Sequence, residues 1–117
     1  MITEKDMREY ALTGELLDAF GCNDRLRGFY DFVELVYRMR LFLRKTPQKD
    51  PPTAQIVHEM CKIRKQPLRG FYGNIRRAIA PLLCADADFW QSFSGKVPEK
   101  MTVGSVAKCL ARKFEEA

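Results

Sequence analysis

Helical periodicity is the feature of this sequence that most limits its fold. Almost every segment of the 117 residues repeats apolar side chains with the 3.6-residue period of an α-helix. No stretch alternates apolar and polar residues as a half-buried strand does. Because apolar residues make up 46% of the chain, we expect one hydrophobic core. The sequence therefore predicts a single all-α domain over residues 1–117, a compact bundle of about six helices that includes an N-terminal extension, residues 1–12.

Residues that cap or stop helices set the predicted boundaries. The six predicted helices cover residues 3–20, 24–45, 53–64, 68–83, 86–94 and 102–115. The first is either one helix or two shorter helices divided at Thr13-Gly14, and Gly21 stops it. Side chains that accept hydrogen bonds from first-turn amides are expected to cap four others, namely Asp24, Thr53, Asp86 and Thr102. Pro67 suits the first position of the fourth helix, where a proline needs no amide partner.

The second predicted helix is expected to form the spine of the core. Its apolar stripe is Phe29, Phe32, Val36, Met39 and Leu43, and that of the third helix is Ile56, Val57, Met60 and Ile63. The sequence Leu-Arg-Gly-Phe-Tyr occurs at residues 26–30 and again at 68–72. One pair of matches does not make a repeat architecture. The match is either coincidence or a shared way of packing a helix closely through glycine, and we give it no functional weight.

Cysteine and histidine usage argues against a disulfide framework or a metal site. The four cysteines, at positions 22, 61, 84 and 109, are far apart, and His58 is the only histidine. We expect the thiols to be buried as small hydrophobic groups and His58 to lie at the surface. The sequence contains no glycine-rich phosphate loop and no zinc-protease motif. We therefore expect neither an enzyme nor a cofactor.

The start of the chain lacks the basic residues and apolar stretch of a secretory signal. The longest apolar run, residues 78–85, is too short to span a bilayer and contains a proline. We therefore expect a cytoplasmic protein with no membrane partner and no small-molecule substrate.

Charge is distributed unevenly along the chain. Residues 1–36 carry a net charge of −4, residues 37–85 carry +9, and residues 86–117 are neutral, which gives +5 in total. Such segregation favours a polyanionic partner, although a solvated basic face is the simpler alternative. Four basic residues of the second helix are either phosphate contacts or, as we favour, its solvated flank. They are Arg38, Arg40, Arg44 and Lys45.

The third and fourth predicted helices, joined by a short polar turn, indicate a helix-turn-helix over about residues 53–83. In such a pair the second helix enters the major groove, where arginine reads guanine and asparagine reads adenine. The candidate base-reading residues on its outer face are Arg69, Asn74, Arg76 and Arg77. The candidate phosphate contacts are Lys62, Arg64 and Lys65. Gly70 and Gly73 on the same face permit close approach to DNA, but each weakens the helix by about 1 kcal/mol.

Several of these segments resemble a known family. Residues 16–21, the Leu-Arg-Gly-Phe-Tyr-Asp-Phe-Val-Glu segment at 26–34, Ile-Arg-Arg-Ala-Ile at 75–79 and residues 106–113 are similar, in order and spacing, to one domain. That domain is the C-terminal DNA-binding effector domain of the stage-zero sporulation protein A family of endospore-forming bacteria. The resemblance covers about residues 12–115. It implies a six-helix fold with a helix-turn-helix, and it implies that Arg76 and Arg77 match a basic pair that contacts DNA.

This sequence departs from the family pattern in three respects. The positions of the family's early base readers fall near Gly70 and Gly73, which carry no side chain. The turn before the recognition helix is longer, around residues 61–67. Too few residues precede the matched region for the family's phosphorylated receiver domain. The operator sequence and the phosphorelay control of the family are therefore not expected to carry over.

Two functional hypotheses follow. The first is a sequence-specific transcription regulator that binds double-stranded DNA, as a homodimer or in tandem copies, without a receiver domain. The second is a protein-interaction module that dimerises with or antagonises a full-length regulator without reading DNA. The two glycines on the reading face motivate the second hypothesis.

Overall fold

The computed structural model describes residues 4–116 and is all-helical over that range, which confirms the predicted fold class. The described helices are α1 (Glu4–Ala19), α2 (Arg27–Lys45), α3 (Thr53–Arg64), α4 (Leu68–Ala78), α5 (Ala80–Leu83), α6 (Ala87–Ser94) and α7 (Val103–Glu116). The predicted first residue of the first helix, Thr3, lies outside the described residues. Residues 4–12, predicted as part of an extension, belong to α1, which runs unbroken through Thr13-Gly14.

Helix α2 lies at the centre of the domain. It packs most extensively against α4 and α7, and also contacts α1 and α3. The whole predicted stripe of α2, from Phe29 to Leu43, is buried, which confirms its role as the spine of the core. The stripe predicted for α3 is correct for three of its four residues. The fourth, Ile63, is 68% exposed, and the end of α3 contacts α2 through the neighbouring Arg64 instead.

A glycine sets how closely α2 approaches α4. An added Cβ at Gly28 would lie 2.1 Å from the carbonyl oxygen of Asn74 and 2.5 Å from the amide nitrogen of Ile75. These are backbone atoms, so no side chain can rotate to make room. The corresponding glycine of the second Leu-Arg-Gly-Phe-Tyr segment, Gly70, has nothing within 4 Å of the same position. The two copies of the repeat therefore share a sequence but not a packing role.

Two of the four predicted helix caps are present. The Oδ1 of Asp86 accepts a hydrogen bond from the Phe89 amide at 2.9 Å, and the Oγ1 of Thr102 accepts one from the Ser105 amide at 3.3 Å. Both predictions are confirmed, and each side chain satisfies an amide that has no partner within the first turn.

The other two predicted caps are wrong. Helix α2 begins three residues after Asp24, and the nearby Asn23 binds the Arg25 amide instead, which holds a turn ahead of the helix. Thr53 is the first helical residue of α3 rather than its cap, and the capping position belongs to Pro52.

The predicted fourth helix is interrupted. It ends at Ala78, Ile79 leaves helical geometry with a ψ angle of 15°, and the single turn α5 follows. Pro81 explains the interruption, since it has no amide to bond the carbonyl of Arg77 and its ring clashes with that carbonyl. At the other end, Pro67 caps α4 and does not occupy its first turn, which corrects the predicted position by one residue.

Ion pairs fasten α2 to its neighbours. The Arg40 guanidinium donates to Glu115 of α7 at 2.8 Å, and Arg44 donates to the same carboxylate at 2.9 Å. Burial acts to raise the pKa of Glu115, but the hydrogen bonds from Arg44 and Arg40 outweigh it and hold that pKa below its usual value. Arg38 pairs with Glu34 one turn earlier on α2. The favoured interpretation of these residues as a solvated flank is therefore wrong for Arg40, which is buried in its ion pair, whereas Lys45 is exposed at the end of α2 as that interpretation expects.

Candidate nucleic-acid interface

The candidate site lies on α3, α4 and the three-residue turn between them. Lys65 adopts the left-handed conformation, with a φ angle of 53°, and ends α3. The Gln66 amide then donates to the carbonyl of Cys61 at 3.0 Å, and Pro67 starts α4 in an extended conformation. The hydrogen-bonded end of α3 and the fixed φ angle of Pro67 therefore restrict the conformation of the turn. The short connection and the bounds of α3 agree with the prediction, but α4 ends at Ala78 rather than at the predicted Leu83, and the separate turn α5 covers the rest.

One face of α4 anchors the helix and the opposite face is open to solvent. Phe71, Ile75 and Ala78 are fully buried, and Ile75 lies at the close crossing with α2. Arg69 and Arg76 are exposed, and neither makes an ion pair or side-chain hydrogen bond within residues 4–116. Because a buried apolar stripe fixes the helix, the exposed guanidinium groups extend from a rigid support.

Asn74 and Arg77 act as a pair. The Nη2 of Arg77 donates a hydrogen bond to the Oδ1 of Asn74, one turn earlier on the same helix. Arg77 is exposed and Asn74 is half-buried. An added Cβ at Gly73 would lie 3.8 Å from the Nη1 of Arg77, so the guanidinium lies back along the helix over that glycine. All four candidate base-reading residues are therefore at least partly accessible, but Asn74 and Arg77 do not move independently.

The three candidate phosphate contacts separate into two groups. Lys62 and Lys65 are exposed and make no ion pair among the described residues. Arg64 is bound to the buried carboxylate of Asp31 and to Glu34, whose Oε1 it meets at 2.9 Å. Its guanidinium therefore holds the end of α3 on α2. We reassign Arg64 from a phosphate contact to a structural residue.

Arg27 is an exposed basic residue near the site that the sequence analysis did not select. It precedes Gly28, which touches the backbone of α4, so it begins α2 beside that helix. Burial lowers the pKa of Arg64, and the positive charge of Arg27 lowers it further, which puts the two guanidinium groups within electrostatic reach. No sequence signal indicated Arg27, because the repeated Leu-Arg-Gly-Phe-Tyr segment does not show that two helices distant in the chain meet there.

Arg76 lies beside the start of α7. Together with Tyr72 it lines one wall of a shallow depression, and Met101, Thr102, Val103 and Gly104 line the other. Arg76 therefore lies at the edge of α4 that faces the start of α7, where Thr102 already binds the Ser105 amide.

The thiols are not uniformly buried as predicted. Cys22 and Cys61 are buried, and burial raises the pKa of both. Cys84 is exposed after the break in the fourth predicted helix, and Cys109 is half-buried. His58 is exposed on α3, as predicted. Over residues 4–116 no three histidine, cysteine or acidic side chains come together in a way that would hold a metal ion.

Comparisons with known proteins leave the resemblance without independent support. No protein-family model, no curated protein and no solved structure matches the chain. Within residues 4–116, no helix has both the length and the apolar content that crossing a bilayer requires.

Proposed function

We propose that this protein is a sequence-specific DNA-binding domain that regulates transcription, with α4 entering the major groove. The observation that carries the proposal is the exposed, unpaired state of Arg69 and Arg76 on a helix whose other face is fully anchored. A helix of this kind fits the width of the major groove, and guanidinium groups recognise base edges and phosphates there. The family resemblance points in the same direction.

The distribution of charge also supports DNA binding by α4 and the turn before it. The segment from Lys62 to Ala85 contains six basic residues and no acidic residue. The two carboxylates that the segment does contact, Asp31 and Glu34 of α2, are engaged by Arg64. Phosphates approaching the turn and α4 therefore meet Lys62 and Lys65 without an opposing unpaired carboxylate from that segment.

The proposal is tested with a matched pair of variants. We expect Arg76→Ala to weaken binding to a duplex selected from a random library by about 1–3 kcal/mol and to relax the preference at one base pair. Lys49→Ala removes the same charge from an exposed loop before α3. Since α3 is 12 residues long, that loop lies about 18 Å from the turn, and the control should bind almost as the native protein does. Fluorescence anisotropy at fixed salt measures both affinities.

Phosphate contacts are distinguished by their salt dependence. We expect Lys65→Ala and Arg27→Ala to weaken binding to every duplex alike, and each to reduce the slope of log affinity against log salt by about 1. Equal losses on all sequences for Arg76→Ala would contradict its assignment as a base reader. Failure of the native protein to bind random duplex at low salt would refute the proposal and favour the interaction module.

A further inference from the structure

The hydrogen bond between Arg77 and Asn74 determines which chemical groups α4 presents. It uses the carbonyl oxygen of the Asn74 side chain, which is the acceptor of that amide. The Nδ2 group, which can only donate, remains for a ligand. The position of the Arg77 guanidinium over Gly73 is consistent with this pairing, since no side chain at residue 73 displaces it.

The other groups on the exposed face are also donors. Arginine has five N–H groups and no acceptor, so Arg69 and Arg76 can only donate. The hydroxyl of Tyr72 belongs to a half-buried side chain, and no carboxylate occurs between Lys62 and Ala85. The accessible face of α4 therefore offers mainly hydrogen-bond donors, because its acceptors are limited to the half-buried Tyr72 hydroxyl and the Asn74 oxygen that Arg77 already engages.

The base edges exposed in the major groove differ in how many hydrogen-bond acceptors they offer to a surface of donors. Guanine presents two acceptors, N7 and O6, whereas cytosine presents a donor and adenine presents one acceptor and one donor. An asparagine that reads adenine must accept from the adenine amino group and donate to N7 at the same time. With its oxygen held by Arg77, Asn74 is not oriented for that contact.

We propose that α4 selects guanine in the major groove, and that Arg77 is a positioning residue that turns Asn74 from an adenine reader into a guanine reader. This inference rests on the proposed DNA-binding function. It replaces the sequence-based expectation that Asn74 recognises adenine.

Modified bases test the acceptor requirement directly. In the duplex selected from a random library, each guanine is replaced in turn by 7-deazaguanine, which lacks the N7 acceptor, or by hypoxanthine, which keeps N7 and O6. We expect 7-deazaguanine at the contacted positions to weaken binding about fivefold or more and hypoxanthine to leave it within about twofold. Sensitivity to 7-deazaadenine without sensitivity to 7-deazaguanine would overturn the inference.

A substitution tests the positioning role. Arg77→Leu frees the Asn74 oxygen, so a repeated selection should recover adenine at one position that held guanine. Arg69→Leu, which removes an arginine that does not bond Asn74, is the matched control and should weaken binding without that switch. Both residues are exposed, so thermal unfolding should confirm that both variants remain folded. An unchanged base preference in Arg77→Leu would overturn the positioning role.

The two proposals fail in different ways. If no duplex is bound with a salt-dependent affinity, the DNA-binding function itself is refuted and the base preference falls with it. If duplexes are bound but modified guanines have no effect, only the base preference is refuted.

Discussion

Replacement of Gly28 by alanine should destabilise the domain, whereas the same change at Gly70 should stabilise it. At Gly28 the new methyl group would lie 2.1 Å from the Asn74 carbonyl oxygen, while ordinary contact begins at 3.4 Å. Helices α2 and α4 must therefore separate by more than an ångström along a crossing that buries Phe29, Phe71 and Ile75. Gly70 sits in the same five-residue motif with nothing within 4 Å, which makes it a matched control.

The expected magnitudes follow from two opposing effects. Overpacking a core usually costs about 1–3 kcal/mol, and the clash here is with backbone, which favours the upper end. Alanine in a helix gains about 1 kcal/mol over glycine. The net loss for Gly28→Ala is therefore about 2 kcal/mol, and Gly70→Ala should gain up to about 1 kcal/mol. In a domain of this size 1 kcal/mol changes the Tm by about 4 °C.

Thermal and urea unfolding, followed by circular dichroism and by the fluorescence of Trp90, measure both changes. Trp90 is the only tryptophan and is fully buried, so its emission reports the core. A Gly28→Ala protein as stable as the native one would refute the close crossing of α2 and α4. A destabilised Gly70→Ala protein would refute the open surroundings of Gly70.

Three further substitutions test the contacts that hold the helices together. Arg64→Ala should destabilise the domain by about 3–5 kcal/mol in urea unfolding because it leaves the buried Asp31 carboxylate unpaired; a change below about 0.5 kcal/mol would contradict its structural role. Glu115→Gln should cost about 1–3 kcal/mol at neutral pH. Because the pKa of Glu115 is lowered in the folded protein, its contribution to stability is complete above the unfolded pKa and is lost as pH falls through the folded pKa. The free energy of unfolding of the variant should therefore fall less steeply in acid than that of the native protein, and an equal acid dependence would contradict this. Asp86→Ala should cost about 1 kcal/mol through loss of the α6 cap, and an unchanged Tm would contradict the bond to the Phe89 amide.

Local sequence rules predicted most of the helices because helix formation depends on residues close together in the chain. The stripe of α2 and the cap at Asp86 needed only spacing and the chemistry of first-turn amides. The break before α5 follows from a local rule as well, since Pro81 cannot continue a helix, but apolar periodicity through residue 83 outweighed it in the sequence analysis.

Tertiary contacts explain what the sequence did not predict. Gly28 and Gly70 occupy the same motif, and only the position of α4 relative to α2 distinguishes them. The role of Arg64 depends on Asp31 and Glu34, which lie 33 and 30 residues earlier in the chain. None of these facts can be read from periodicity or propensity.

The basic segment shows why net charge alone could not locate the candidate site. Its charge of +9 over residues 37–85 includes Arg38, Arg40, Arg44 and Arg64, which the fold neutralises with carboxylates of α2 and α7. Paired guanidinium groups contribute little field at the surface, so counter-ion release on binding DNA must come from basic residues without a carboxylate partner. Those residues concentrate at the turn after α3 and on α4, which the buried stripe and the Gly28 crossing hold in place. For this reason we predict that the salt dependence of DNA binding depends on Arg27, Lys62, Lys65 and Arg69, and not on the ion-paired Arg38, Arg40 and Arg44 of α2.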